Sequence, residues 1–213
     1  MIGKSLWGIV LTLACLGTAQ AAENVNVTSN YNDTGERNFA TTYGETLPPV
    51  GFVEFCQREP RECQPIGGKA QRLELTDGRW KLLNQVNQMV NDKIAPLSDM
   101  ELYGVAEYWA YPDAAGDCED YVLLKKRYLE GLGVPAETLL ITVVLDEVGD
   151  GHAVLMVRTD KGDFVLDNRR EAILRWNDTR YQYLKRQSQQ NPRNWVALTN
   201  KTPRHQPLTA GGN

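Results

Sequence analysis

The stretch that decides the fold is residues 116–167, which read GDCEDYVLLKKRYLEGLGVPAETLLITVVLDEVGDGHAVLMVRTDKGDFVLD. Its first part predicts a helix that opens at Cys118 and ends at the glycines 131 and 133, because glycine readily adopts the backbone conformation that closes a helix. Asp117 stands where an N-cap residue is favoured. The predicted buried stripe of this helix is Val122, Leu123, Tyr128, Leu129 and Leu132.

After this helix the spacing of apolar residues changes from about 3.6 to 2. The β-branched apolar run Leu139–Leu145 predicts a strand, and His152–Arg158 and Asp163–Asp167 predict two more. Glycine-containing turns at 146–151 and 159–162 separate them. A helix followed by an antiparallel meander indicates the α+β class, with the helix packed on an antiparallel sheet.

The rest of the chain fits one domain. Apolar residues recur at helical spacing over Asp77–Ile94, and Pro96 stops that predicted helix. Residues 22–48 are polar, with little periodicity, and we expect a poorly ordered lead-in. The domain then covers residues 49–198, and 199–213 form a polar tail.

The first 21 residues have the features of a secretory signal peptide. Lys4 supplies the positive charge, residues 6–17 the apolar segment, and Ala19-Gln20-Ala21 the small-x-small cleavage pattern. Cleavage is expected after Ala21, with Ala22 as the alternative. Cys15 raises the possibility of a lipoprotein, but the residues before it lack the leucine with which a lipobox begins. The sequence therefore predicts an exported, soluble mature protein.

Composition excludes some classes of function. With 42% hydrophobic and 23% charged residues, the chain has the composition of a globular protein. The net charge of -4 argues against nucleic-acid binding, which needs a basic surface.

Three cysteines remain after the predicted signal peptide. Cys56 and Cys63 are seven residues apart in a short loop with a proline, and a local disulfide is favoured over a metal site, because no second Cys or His pair completes one. Cys118 is left unpaired. An unpaired thiol in an oxidising compartment is a liability unless it is buried or used.

Cys118 has the setting of a reactive thiol. The first turn of a helix offers unpaired N–H groups and the positive end of the macrodipole, and both stabilise a thiolate. Asp117, Glu119 and Asp120 oppose this, because nearby carboxylates raise the pKa of a thiol. Either an imidazolium or a bound cation is needed to neutralise them. The alternative is a buried, inert cysteine.

His152 and Asp167 are predicted to meet. If residues 159–162 close a hairpin, Arg158 pairs with Asp163, Val154 with Asp167 and His152 with Arg169. Asp167 then lies diagonal to His152 on the same face. The carboxylate would hold Nδ1–H of the ring and leave Nε2 to take a proton from a thiol. A register slip of one residue would remove this arrangement.

The order of Cys at a helix start, then His and Asp on successive strands, resembles the papain-like and transglutaminase-like superfamily. More narrowly, residues 50–198 are similar to the bacterial transglutaminase-like cysteine proteases of the LapG type. The similar segments are Tyr108-Trp109, Gly116-Asp117-Cys118-Glu119-Asp120-Tyr121, His152-Ala153-Val154-Leu155, Val165-Leu166-Asp167-Asn168, and Cys56 with Cys63.

The resemblance implies a periplasmic cysteine endopeptidase with the triad Cys118, His152 and Asp167. It also implies Ca²⁺ bound by Asp117, Glu119 and Asp120, completed by carbonyls or waters because calcium takes six to eight oxygens. Its implied substrate is the N-terminal region of a large surface adhesin, whose release disperses a biofilm. Its implied partner is a LapD-type inner-membrane receptor for cyclic di-GMP, which sequesters the protease. The alternative for the acids is a favourable interaction with the helix dipole.

Two other functions stay open at this point. A transglutaminase or amidase would use the same triad with a different acceptor or a side-chain amide. A non-catalytic calcium-dependent binding module would need no reactive thiol, so the reactivity of Cys118 separates it from an enzyme.

Overall fold

The computed structural model describes residues 36–67 and 70–200, in which helices pack against an antiparallel sheet. The helices are α1 (Val50–Arg58), α2 (Asp77–Lys93), α3 (Asp99–Leu102) and α4 (Cys118–Gly131). The strands are β1 (Glu45–Thr46), β2 (Ala95–Pro96), β3 (Ala115–Gly116), β4 (Leu139–Leu145), β5 (Gly151–Thr159), β6 (Gly162–Leu166), β7 (Leu174–Arg175), β8 (Gln182–Gln187) and β9 (Trp195–Ala197). Short 3-10 helices cover Glu36–Asn38, Pro60–Cys63, Ala136–Thr138 and Trp176–Asp178. The predicted signal peptide lies outside the described residues.

Helix α2 has the limits that its sequence predicts. The Thr76 hydroxyl caps its N-terminus by accepting a hydrogen bond from Arg79 N–H at 3.3 Å. Asp77 in the first turn and Lys93 in the last turn complement the helix dipole. Its buried face carries three apolar residues and one amide, which are Leu83, Val86, Val90 and Asn87.

Helix α4 begins at Cys118 and ends at Gly131, as predicted. Gly133 follows with φ of +84°, a conformation that side chains other than glycine rarely adopt. The predicted buried stripe is wrong at Leu132, which is 57% exposed, because this residue is the C-cap and has left the helical face. The helix is otherwise buried over most of its length, and even Lys125 is inaccessible to solvent.

The main sheet has seven strands in the order β1-β9-β8-β4-β5-β6-β7, and all its neighbouring pairs are antiparallel. The meander β4-β5-β6 at its centre confirms the predicted arrangement. The predicted pairing of Arg158 with Asp163 is also observed. The ladder ends at Leu155 opposite Leu166, so the predicted pairs of Val154 with Asp167 and of His152 with Arg169 do not form. The chain has left β6 before Asp167.

Side chains of the central strands alternate between two apolar clusters. Ile141, Val143 and Leu155 belong to a large cluster shared with α1, α2 and α4. Val154 and Met156 point to the opposite face, into a smaller cluster with Tyr181. Both faces of the meander are therefore covered, which accounts for the nearly continuous apolar run of β4.

The expectation of a poorly ordered lead-in does not hold over residues 36–48. Strand β1 pairs with β9, and the buried Ala40 donates its N–H to the Asp163 carboxylate at 2.9 Å. This segment is tied down by backbone pairing with the sheet, which its polar composition does not reveal. The remainder of the predicted lead-in lies outside the described residues.

Two observations bear on the predicted setting of the protein. Cys56, at the end of α1, forms a disulfide with Cys63, and this bond indicates an oxidising compartment. Within residues 36–67 and 70–200, no helix is both long and apolar enough to cross a bilayer.

Candidate active site

Cys118 is the first residue of α4 and lies against strand β5. Its side chain is 5% exposed. The sulfur accepts a hydrogen bond from Ala153 N–H at 3.3 Å, and the thiol donates to Glu119 Oε2 at 3.3 Å. The first of these contacts joins the start of the helix to the residue that follows His152. The fold thus brings the cysteine to the end of β5 that carries the histidine.

The electrostatic surroundings of Cys118 disfavour a thiolate in the metal-free protein. Burial raises the pKa of the thiol well above its usual value, and the charges of Glu119 and Asp117 raise it further. The Ala153 N–H opposes them by favouring the anion. A positive charge placed among the acids would offset their opposition to the thiolate, while the effect of burial, which is the larger one, would remain.

His152 and Asp167 form a buried pair. Nε2 of His152 lies 2.9 Å from Asp167 Oδ1, and the two side chains are 0% and 2% exposed. Tyr181 O–H donates to Asp167 Oδ2 at 2.6 Å, and Arg169 N–H donates to Oδ1 at 3.0 Å. Burial disfavours the Asp167 anion, but these hydrogen bonds outweigh it and lower the pKa of Asp167 to about 2. The acid is therefore ionised at any physiological pH.

The ring of His152 is turned the opposite way from the prediction. Asp167 holds Nε2, whereas Nδ1 is buried without a hydrogen-bond partner among the described residues. The reason is that Asp167 lies one residue beyond β6, so its carboxylate approaches the far nitrogen of the ring. Nδ1 is then the nitrogen left to exchange a proton with a thiol.

A group of three acids lies beside the cysteine. Asp99, Asp117 and Glu119 each place a carboxylate oxygen within 4.8 Å of the others. Asp99 opens α3, a segment with no sequence link to Cys118, so the pattern around the cysteine could not reveal it. Its backbone N–H approaches Asp117 Oδ2 at 3.4 Å, and its own Oδ2 accepts from Tyr108 N–H.

Asp120 is not part of this group. Its Oδ1 accepts a hydrogen bond from Ala110 N–H at 2.8 Å. Its carboxylate also lies against Gly116, where an added Cβ would be 2.5 Å from Oδ2. Gly116, two residues before the cysteine, is therefore required by the packing of Asp120. Of the three acids predicted to bind calcium, Asp117 and Glu119 lie in this group together with Asp99. The role of Asp120 as a ligand stays a prediction.

The donor set of the three acids fits a hard divalent cation. One oxygen of each carboxylate, namely Asp99 Oδ1, Asp117 Oδ1 and Glu119 Oε1, is buried and accepts no hydrogen bond from the described residues. The same holds for Asp120 Oδ2. Burial and the nearby Asp117 raise the pKa of Asp99 to about 6 and that of Glu119 well above its usual value. Buried carboxylates with unpartnered oxygens are costly unless they are paired or bind a metal, and calcium prefers oxygen ligands.

An open cleft of about 540 Å³ leads to this group of residues. Its lining includes Leu97 and Ser98 before α3, and Asn168 and Arg169 after Asp167. Cys118 also lines it. An extended peptide laid in such a cleft passes the sulfur, so the arrangement suits attack on a backbone carbonyl.

Comparison with known proteins agrees with this chemistry. The sequence model of the bacterial transglutaminase-like cysteine proteinases matches residues 42–203. No match was found among curated proteins.

Three solved structures of LapG from Legionella pneumophila are similar. The EGTA-treated form is 26% identical with a TM-score of 0.44, and the match covers 50% of this chain but only 62% of that one. A second form is 25% identical with a TM-score of 0.48, covering 57% and 70% of the two chains. The calcium-bound form is 23% identical with a TM-score of 0.49, covering 70% and 90%. Because the family model spans more than half of its 213 residues, the chain belongs to the bacterial transglutaminase-like cysteine proteinase family.

Proposed function

We propose that this protein is a periplasmic, calcium-dependent cysteine endopeptidase with Cys118 as nucleophile, His152 as general base and acid, and Asp167 as the residue that orients the histidine. The observation that carries this proposal is the continuity of the site. Asp167 holds one nitrogen of the buried His152, and the next residue of β5 donates its N–H to the cysteine sulfur. Such an arrangement of base and orienting acid is what activates a weak nucleophile.

The reaction begins when His152 Nδ1 takes the thiol proton and the sulfur attacks the carbonyl carbon of the scissile peptide bond. The resulting oxyanion is next to the N–H groups at the start of α4, with that of Cys118 the nearest on the chain. The imidazolium, stabilised by Asp167, returns the proton to the leaving amine, and the C–N bond breaks to leave a thioester. Water, deprotonated by His152, then attacks the thioester. The C–S bond breaks, the acid product leaves and the thiol is restored.

Asp99, Asp117 and Glu119 are the residues that would hold calcium. When bound, the ion supplies positive charge where the acids otherwise oppose formation of the thiolate. The proposal is supported by the unpartnered oxygens of all three carboxylates. The three carboxylates offer at most six oxygens, so backbone carbonyls or waters complete the shell.

The substrate proposed for the enzyme is the N-terminal region of a large surface adhesin, whose release would promote biofilm dispersal. The proposed restraining partner is a LapD-type inner-membrane receptor for cyclic di-GMP. Membership of a cysteine proteinase family supports a protein substrate. The adhesin and the receptor are proposed from the resemblance of the Cys118 and Asp167 segments to LapG-type proteases. Export to the periplasm is supported by the disulfide, which needs an oxidising compartment.

The test is the rate at which iodoacetamide labels Cys118 in the mature protein, measured across pH with Ca²⁺ or with EGTA. We expect labelling well below pH 8 with Ca²⁺, slower labelling with EGTA, and loss of fast labelling in His152→Ala. The disulfide cysteines provide the internal control because they should not react. A thiol no more reactive than a free cysteine under every condition would favour a binding module.

A second measurement distinguishes a protease from a transglutaminase, which would have the same fold but transfer the acyl group to an amine. The purified protein and Cys118→Ala are incubated with the N-terminal fragment of a candidate adhesin, with and without a fluorescent primary amine. A protease produces new chain ends whose masses account for one added water. Incorporation of the amine without cleavage would contradict the endopeptidase and favour a transglutaminase.

A further inference from the structure

The loop that carries Asp167 is held from outside the sheet. The ladder between β5 and β6 ends at Leu166, so strand pairing does not fix the backbone of Asp167. The hydrogen bonds from Tyr181 and Arg169 hold its carboxylate. The main chain of residues 167–171 therefore needs a separate support if the carboxylate is to stay on the histidine.

Helix α2 provides that support through two asparagines. Asn91 Nδ2 donates to the carbonyl of Asp167 at 2.9 Å. Asn87 Nδ2 donates to the carbonyl of Glu171 at 3.1 Å and approaches that of Arg170 at 3.4 Å. The two asparagines are four residues apart, so they share one face of the helix. Three carbonyls of the acid's loop thus rest on one face of α2.

The same helix is connected to the nucleophile. Ile94, the C-cap residue of α2, accepts a hydrogen bond at its carbonyl from the Tyr121 hydroxyl, and Tyr121 lies one turn after Cys118. Helix α2 is therefore hydrogen-bonded both to the helix of the cysteine and to the loop of the acid. Its position fixes the separation of these two elements across the cleft.

The two asparagines are an unusual choice for packing alone. Asn87 is fully buried, and the Oδ1 atoms of Asn87 and Asn91 are both buried without a hydrogen-bond partner in the described structure. An unsatisfied buried acceptor destabilises a fold, and an apolar side chain at the same position would avoid that penalty. This penalty has a reason if the two asparagines hold the backbone of residues 167–171 in place.

We propose that Asn91, supported by Asn87, is a positioning residue that acts through Asp167. This inference rests on the proposed function, since it assigns a role in orienting His152. Asn91 lines the cleft, but its amide nitrogen is engaged and its oxygen is buried, so it is not offered to the substrate. Its effect should therefore fall on the reactivity of the thiol.

The experiment measures the iodoacetamide labelling rate of Cys118, with saturating Ca²⁺, in a double-mutant cycle of Asn91→Ala and Asp167→Ala. We expect Asn91→Ala to slow labelling by about tenfold or more, since misplacing a catalytic group by 1 Å can cost about a hundredfold. In the Asp167→Ala background the same change should have no further effect, because Asn91 still binds the main-chain carbonyl but the carboxylate that it positions is gone. The matched control is Asn84→Ala, since this amide on the same helix binds only Trp80 O within α2.

Asn91→Leu is the second variant, because it keeps the approximate volume of the side chain and removes the donor without adding a charge. It should slow labelling like Asn91→Ala while unfolding at a similar temperature to wild type. Equal rates in Asn91→Ala and Asn84→Ala would overturn the proposal, as would the same loss with and without the Asp167 carboxylate. If the wild-type thiol itself is not activated, the proposed function fails first and this role falls with it.

Discussion

The hairpin of β5 and β6 has a buried pair of basic and acidic side chains at each end, and the two pairs differ in what they can do. At the turn, Arg158 Nε lies 3.1 Å from Asp163 Oδ1, and the two residues are partners in the ladder. At the open end, His152 Nε2 lies 2.9 Å from Asp167 Oδ1, beyond the ladder.

The pair at the turn is complete. Asp163 is fully buried, and each of its oxygens accepts a hydrogen bond, from Arg158 on one side and from Ala40 N–H on the other. A guanidinium does not lose its proton in a protein, so the basic member of this pair cannot act as a general base. It ties the lead-in segment to the sheet and offers nothing that could react.

The pair at the open end leaves one nitrogen of the histidine ring without a hydrogen bond to the described residues. The carboxylate of Asp167 is saturated by three donors, but Nδ1 of His152 has none among the residues described. An imidazole gains and loses a proton near neutral pH. The two ends of the hairpin therefore differ in their contacts. The pair at the turn joins the lead-in segment to the sheet, and the pair at the open end leaves one ring nitrogen of His152 for the proposed chemistry.

The largest expected effect is that of Asp167→Asn on activity. The amide keeps the size of the carboxylate but can no longer stabilise an imidazolium. We expect kcat to fall by about 10³- to 10⁴-fold, as for loss of the orienting acid in other triads. The measurement is cleavage of the adhesin fragment under saturating Ca²⁺. A fall of less than tenfold would show that Asp167 is not the orienting acid, and Asp163→Asn, corrected for its folded fraction, should retain full activity.

Asp163→Ala should mainly affect stability. It leaves the Arg158 guanidinium and the Ala40 N–H without their buried partner, and breaking one side of a buried ion pair costs about 3–5 kcal/mol. Urea denaturation measures the loss of unfolding free energy. The folded fraction should keep the wild-type kcat, because the turn lies at the opposite end of the hairpin from His152. Unchanged stability would mean that the pair contributes nothing beyond its own desolvation.

A third buried charge sharpens the comparison, because it has no hydrogen-bond partner. Lys125 lies on α4 with no exposed surface, and its Nζ makes no hydrogen bond to any described residue. Burial lowers the pKa of Lys125 from 10.5 to about 7, despite the charge of Asp167, which raises it. The protonated form of Lys125 therefore destabilises the folded protein.

Lys125→Met should therefore stabilise the protein. The unfolded lysine keeps its proton up to pH 10.5, whereas the folded one loses it above about pH 7, so the unfolded state binds more protons in this window. The stability contributed by wild-type Lys125 consequently rises with pH between these values. We expect the variant to gain about 3 kcal/mol near pH 7 and less toward pH 10. A difference between the two proteins that is independent of pH would contradict a neutral lysine.

The helix α4 and the meander β4-β5-β6 were predictable from the sequence because they depend on local patterns. The change of apolar spacing after α4 predicted the meander, and the glycine-containing turn set the pairing of Arg158 with Asp163. That pairing alone placed His152 near Asp167. The orientation of the ring was not predictable, since it depends on where the chain leaves β6.

Features that depend on contacts between distant segments of the chain could not be predicted from the sequence. Asp99 joins Asp117 and Glu119 only through tertiary folding, so no local pattern around Cys118 reveals it. Strand β1 has two residues, too few for a periodic signal. The two asparagines on α2 look like ordinary polar residues until the loop of Asp167 is placed against them.

The smallest effect expected is that of Tyr181→Phe, which tests how much of the incomplete pair depends on each donor to Asp167. The hydroxyl donates to Oδ2 at 2.6 Å, while the ring packs edge-on against His152 with centroids 5.6 Å apart. Phenylalanine keeps the ring contact and removes only the donor. A hydrogen bond to a charged group contributes about 1.5–3 kcal/mol, so we expect kcat to fall by about tenfold. The pKa of Asp167 should rise from about 2 but remain below neutral, so the loss should be similar at pH 7 and pH 8. A loss as large as that of Asp167→Asn would instead make Tyr181 part of the catalytic machinery, because a single neutral donor cannot account for it.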